Sequence, residues 1–134
     1  MFRLSKQADY AIQLLHRLSS LEKNEALSLR TFSDESNISF LFLQRIAREL
    51  KLSEMINSKQ GVQGGYFLIK KYKDISLLDV IEAIDKPTFT PCVIDEKTCK
   101  FIHTCKIKNG MEKVQKKLVL VLKATPIETL TAWN

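Results

Sequence analysis

A cation-studded helix after a tight turn, three of the chain's four glycines within five residues just beyond it, and a long amphipathic helix near the C-terminus set the fold class. They predict a mainly α chain with a small β-hairpin: a winged helix-turn-helix domain followed by a long dimerisation helix. With 134 residues, 45% of them hydrophobic, the chain has material for one core and an appendage. The expected division is 1–86 for the helix-turn-helix domain, 87–108 for a cysteine-bearing loop, and 109–134 for the dimerisation helix and tail.

Residues 5–21 place Ala8, Ala11, Ile12, Leu15 and Leu18 at helical spacing, and the charged stretch from Glu22 to Glu25 ends that helix. A short second helix is expected over 30–36, with Asn37 and Ile38 as the turn. Ser39 then N-caps a third helix running to about residue 51. In it Leu43, Ile46, Ala47 and Leu50 share one face, while Leu41, Gln44, Arg45 and Arg48 lie opposite with Lys51 beside them. A buried stripe backed by a cationic one, after a short helix and a tight turn, is a helix-turn-helix pattern. Ser39, Leu41, Gln44, Arg45 and Arg48 are the residues expected to enter a major groove.

The β-prone run 55–58, the glycine-rich turn 61–65 and the apolar strand 66–69 predict a hairpin. Clustered glycines supply positive φ angles and let backbones approach closely. Straight after a helix-turn-helix, such a hairpin is a wing, with Lys59, Gln60 and Gln63 facing the DNA backbone or minor groove. A plain surface hairpin is the alternative. Ser76 and Asp79 form a capping box ahead of Val80, Ile81 and Ile84, giving a fourth helix that Lys86-Pro87 closes. The last helix is expected over 110–124, with Met111, Val114, Leu118, Val121 and Leu122 on one face and Lys113, Lys116, Lys117 and Lys123 on the other. That apolar face needs a cover. The same helix of a second subunit supplies one, and packing back on its own domain supplies another.

Charge points to a partner. The net charge is +6, and residues 39–73 alone hold seven cations (Arg45, Arg48, Lys51, Lys59, Lys70, Lys71, Lys73) against two anions, Glu49 and Glu54. Double-stranded DNA is the polyanion that a helix-turn-helix with this surface would meet. A solvated face of uneven sign, or an acidic protein partner, are the competing readings. The longest uncharged apolar run of the C-terminal third, 118–122, is far too short to span a bilayer. Charges scattered through the N-terminus argue against a secretory signal, so a cytoplasmic protein with no membrane partner is expected. No Ser–His–acid arrangement, phosphate loop or paired-acid motif stands out, and His16 and His103 are the only histidines. An enzyme is not expected.

The chain's three cysteines, Cys92, Cys99 and Cys105, stand in a C-x6-C-x5-C array among Lys97, Lys100, Lys106 and Lys108. An odd number of thiols cannot pair fully within one chain, and neighbouring cations favour the thiolate that binds metal. Three soft ligands suit zinc or an iron–sulfur cluster with a fourth donor from elsewhere. A Cys3His zinc site including His103, or a thiol-redox switch, are further possibilities of the same array.

The phrases FRLSKQADYAIQLL, ISFLFLQRIARELK, SKQGVQGGYFL and ISLLDVIEAID, followed by the three cysteines, resemble the winged-helix regulator family of IscR and NsrR. The resemblance covers about residues 2–130. It implies a homodimeric transcriptional regulator whose affinity for a double-stranded DNA operator depends on an iron–sulfur cluster, 2Fe–2S or 4Fe–4S, held by Cys92, Cys99 and Cys105. IscR-like chains use a histidine shortly after the third cysteine, and Lys108 stands there in this one. NsrR-like chains take an aspartate from the first helix of the other subunit, which Asp9, in Ala8-Asp9-Tyr10, matches. The family's arginine before the first wing glycine is Gln60 here, and its frequent glycine after the third helix is Glu54.

Overall fold

The computed structural model describes residues 3–85, 97 and 100–132. Helix α1 (Lys6–Ser19) starts at Ser5, whose hydroxyl accepts the Ala8 N–H at 3.0 Å and donates to the Asp85 carboxylate. It buries Ala8, Ala11, Leu14, Leu15 and Leu18. Helix α2 (Leu29–Ser36) is capped by Ser28, whose hydroxyl takes the Thr31 N–H, and ends at Asn37 in the left-handed region. Asparagine tolerates that conformation better than most residues, which explains the tight turn into the next helix.

Helix α3 (Phe40–Leu52) packs against α1, α2 and α4 through Leu43, Ile46, Ala47 and Leu50, all fully or almost fully buried. Ser39 holds the N-cap position as expected, yet its hydroxyl makes no capping bond. Its carbonyl receives the Leu43 N–H at 3.0 Å, so the backbone alone starts the helix and the exposed hydroxyl is left for other partners. The C-terminus of α3 is a Schellman motif. The Met55 N–H reaches the Leu50 carbonyl at 3.1 Å and the Glu54 N–H reaches the Lys51 carbonyl at 3.0 Å.

That motif forces Glu54 to φ +59°, where a Cβ is unwelcome. The glycine that the resemblance leads one to expect here would adopt this conformation freely, and Glu54 carries the strain of its Cβ. Glu54→Gly should raise stability by about 0.5–1 kcal/mol, the relieved Cβ strain less the extra entropy of an unfolded glycine. A urea melt would check it, and an unchanged or lower midpoint would contradict it.

Strands β1 (Ile56–Lys59) and β2 (Gly65–Leu68) pair antiparallel, with Ile56 opposite Leu68 and Lys59 opposite Gly65. A third, one-residue strand joins them. Leu27 and Tyr66 exchange backbone bonds of 2.9 and 2.8 Å, tying the approach to α2 onto the wing. A 3-10 turn (Tyr72–Asp74) leads to α4 (Leu77–Ile84), which opens with the expected capping box. Burial pushes the Asp79 carboxyl up, but the Ser76 backbone N–H and the Lys70 ammonium, 2.9 Å away, outweigh it and leave it below the ordinary range.

Helix α5 (Lys108–Lys123) begins two residues before the expected start. Leu122 does not share the stripe of Val114 and Val121. It packs inward with Val119 against Leu78 and Ile81 of α4, while Val114, Leu120 and Val121 remain exposed. Beyond α5 the chain returns to the domain. Leu77 donates to the Thr125 carbonyl at 2.8 Å, Ile127 to the Ile75 carbonyl at 2.9 Å, and the Ile127 side chain is fully buried in the main core. A 3-10 turn (Ile127–Leu130) ends the described fold.

Candidate nucleic-acid interface and cysteine site

The outer face of α3 is built by the same periodicity that buries its inner face. Ser39, Leu41, Gln44, Arg45 and Arg48 are all exposed. The wing stands beside them, with Lys59, Gln60 and Gln63 exposed and Val62 standing free at the tip. Between wing, α3 and the start of α2 runs a groove of about 610 Å³, lined in part by Ser28, Arg30, Gln44, Lys59, Gln60 and Tyr66. The groove exists because Gly65 lets the Leu27–Ser28 backbone lie directly on the hairpin. That contact places the N-terminus of α2, through Ser28, Leu29 and Arg30, at the groove wall.

Two cations in this region are held rather than loose. Lys59 donates from Nζ to the Asn24 carbonyl at 2.7 Å, and Lys51 to the Ser58 hydroxyl at 2.9 Å, which braces the end of α3 against β1. Arg30, which the sequence reading passed over, lies with its guanidinium carbon 4.4 Å from the centre of the Phe40 ring. Such stacking holds the planar group at the groove edge. Its signal was available in the sequence only as a lone cation in the first turn of a short helix.

The second candidate site is only partly within the described residues. Cys105 is a free, half-buried thiol in the turn before α5, and His103 nearby in sequence is exposed. Cys92 and Cys99 lie outside the described residues. Among those described, no three of His, Cys, Asp or Glu gather as metal donors. Asp9 is exposed in the first turn of α1, and its Oδ1 accepts one hydrogen bond, from Gln13 at 3.2 Å. The Ser5–Asp85 bond holds that first turn against the end of α4, where the chain leaves for the cysteine segment. One residue on from Asp9, the Tyr10 ring meets Phe42 of α3 edge-on at 6.3 Å.

A profile of the Rrf2 family, described as iron-dependent transcriptional regulators, matches residues 4–132. The chain belongs to the Rrf2 family. Rrf2 proteins are transcriptional regulators rather than enzymes. Among Rrf2-type relatives, the regulator NsrR of Shouchella clausii is 25% identical over 130 residues, covering 96% of this chain and 87% of NsrR. The HTH-type protein ORF2 of Azotobacter vinelandii is 24% identical over 103 residues, covering 77% of this chain and 63% of its own length. This chain thus spans less than two thirds of the ORF2 relative. The solved structure of CymR, the global cysteine regulator of Bacillus subtilis, superposes with a TM-score of 0.74 at 20% identity, covering 100% of this chain and 99% of CymR. That likeness shows the Rrf2 winged-helix fold. No helix among the described residues is long and apolar enough to cross a membrane.

Proposed function

We propose that this chain is a homodimeric DNA-binding regulator whose operator affinity is set by an iron–sulfur cluster. The observation that carries the DNA reading is the outer face of α3. Five exposed residues, two of them arginines, stand beside a wing and across a groove from a helix N-terminus. In this reading α3 enters the major groove, with Gln44, Arg45 and Arg48 at base edges or phosphates. The wing residues Lys59, Gln60 and Gln63 follow the backbone. Arg30 joins them at the groove edge. The exposed Val114, Leu120 and Val121 of α5 give a second copy a surface to cover, in line with the dimer that the family resemblance implies.

Cys92, Cys99 and Cys105 would hold the cluster, with Asp9 as the oxygen donor. The described donors fit: Cys105 is a free thiol, and among the described residues the exposed Asp9 carboxylate has only Gln13 as hydrogen-bond partner. When bound, such a cluster supplies iron–thiolate bonds that are sensitive to oxidation, iron supply and nitric oxide. Asp9 adjoins Tyr10, whose ring meets Phe42, and α1 shares the main core with α3, so a pull on the start of α1 bears on the recognition helix. The second reading keeps the DNA binding and replaces the cluster with zinc or a thiol switch, and the fold shared with a cysteine regulator favours keeping it in view. Anaerobically purified protein should be brown for a cluster and colourless for zinc or free thiols.

Arg45→Ala should weaken operator binding by about 1–3 kcal/mol and relax specificity at one base pair. Lys59→Ala should weaken all sequences alike and lower the slope of log affinity against log salt by about one. Anisotropy titrations at several salt concentrations measure both. Parent-like binding in both variants would sink the placement of α3 and the wing on DNA.

A further inference from the structure

We infer that Leu41 reads the 5-methyl group of a thymine, so that the operator carries an A·T pair beneath the first turn of α3. Leu41 is the second residue of α3 and is 76% exposed, although it is one of the most hydrophobic side chains in the chain. It joins neither hydrophobic cluster, even at its margin. Its neighbour Phe42 is accounted for by the edge-on contact with Tyr10. Leu41 has no such partner among the described residues.

What surrounds it identifies the cover. The outer face of α3 otherwise carries Ser39, Gln44, Arg45 and Arg48, all exposed, with the part-exposed Phe42 beside Leu41 and the exposed Leu52 at the far end of the helix. A protein partner would be met by a broad apolar patch with charge only at its rim, whereas along its face Leu41 is followed one turn on by Gln44 and Arg45 and two turns on by Arg48. In the major groove the arrangement makes sense. The first turn of a recognition helix is the part that meets base edges, and the thymine methyl is the one apolar group a base pair presents there. A leucine on that methyl shuts water from both, while the flanking arginines and glutamine find phosphates and polar edges. The side chain is exposed and unpacked in the free protein, so truncating it leaves the fold intact.

This inference rests on the DNA-binding reading and adds a base preference to it. The test begins with duplexes selected by the purified full chain from a random pool. Each thymine of the selected operator is then replaced, one at a time, by deoxyuridine, which removes the methyl and keeps the pair. Parent protein should lose about fourfold in affinity at one thymine per half-site, as expected for one buried methyl group, and nothing at the others. Leu41→Ala should bind the unmodified operator several-fold more weakly and be indifferent to deoxyuridine at that position. Tight binding that ignores every deoxyuridine, or an equal loss in parent and Leu41→Ala, overturns the leucine assignment alone. Failure to select any duplex overturns the DNA-binding reading and this inference with it.

Discussion

Gly65→Ala should unfold at a much lower urea concentration than the parent and lose operator binding. Gly65 sits at φ +152°, and a Cβ there would stand 2.4 Å from the Leu27 carbonyl carbon and oxygen and 2.7 Å from the Ser28 nitrogen. None of these is a side-chain atom that can swing aside. Leu27 is the residue that exchanges two backbone bonds with Tyr66, and Ser28 is the N-cap of α2. Making room for one methyl therefore pulls the third strand off the wing and loosens the start of α2 together. The backbone strain costs about 1–2 kcal/mol and the overpacking about 1–3 kcal/mol more. Their sum, on the order of 3 kcal/mol, is a large fraction of the roughly 5–15 kcal/mol that holds a domain folded. Gly61 supplies the control. It also has positive φ, +118°, but a Cβ there meets nothing within 4 Å. Gly61→Ala should cost only the strain, about 1–2 kcal/mol. Equal losses from the two substitutions would show that the close approach to Leu27 is not what requires Gly65.

The recognition helix was legible because its inner and outer residues alternate at one clear period, and burial of Leu43, Ile46, Ala47 and Leu50 follows that period. The Ser76–Asp79 box and the wing glycines were legible for local reasons: capping and positive φ leave their mark on residue identity at fixed spacing. The Leu27–Tyr66 bridge left no such mark, since a single paired residue has no alternation to display. Helix α5 was half legible. Its apolar residues spread over more than one face, so periodicity grouped Leu122 with Val114 and Val121, whereas contact with α4 divides them. Ile127 was missed because a buried residue in a four-residue turn after a proline belongs to no repeating pattern. The interface cation Arg30 depends on a ring stacked beneath it, which sequence spacing does not report. Of the cysteine site, the array itself was legible and its geometry was not. Ligands gathered from separate segments share no period, and of the four proposed cluster ligands only Cys105 and Asp9 fall within the described residues.

Asp9→Asn should leave the helical far-ultraviolet signal unchanged and make the bound cluster at least about tenfold more labile to a chelator. The two roles open to Asp9 separate cleanly. As an acid in the first turn of α1 it contributes about 0.3–1 kcal/mol through the helix dipole, and it has one exposed hydrogen bond, to Gln13, to lose. Neither effect touches a visible spectrum. As a ligand it gives iron a charged oxygen, and asparagine withdraws that charge while keeping the shape, so absorption and lifetime both change. Cys105→Ala should go further and abolish the cluster, because a methyl cannot replace a thiolate, while the half-buried position leaves the core packing as it was. Mixed dimers then decide which chain donates. One subunit carries Asp9→Asn with its cysteines intact, and the other keeps Asp9 but has Cys92, Cys99 and Cys105 replaced by alanine. Donation across the dimer, as the resemblance to NsrR implies, yields one fully ligated cluster with parent lifetime. Donation within a chain yields one labile cluster. Parent spectrum and parent lifetime in the Asp9→Asn homodimer would remove Asp9 from the ligand set and leave it the ordinary acid of a helix start.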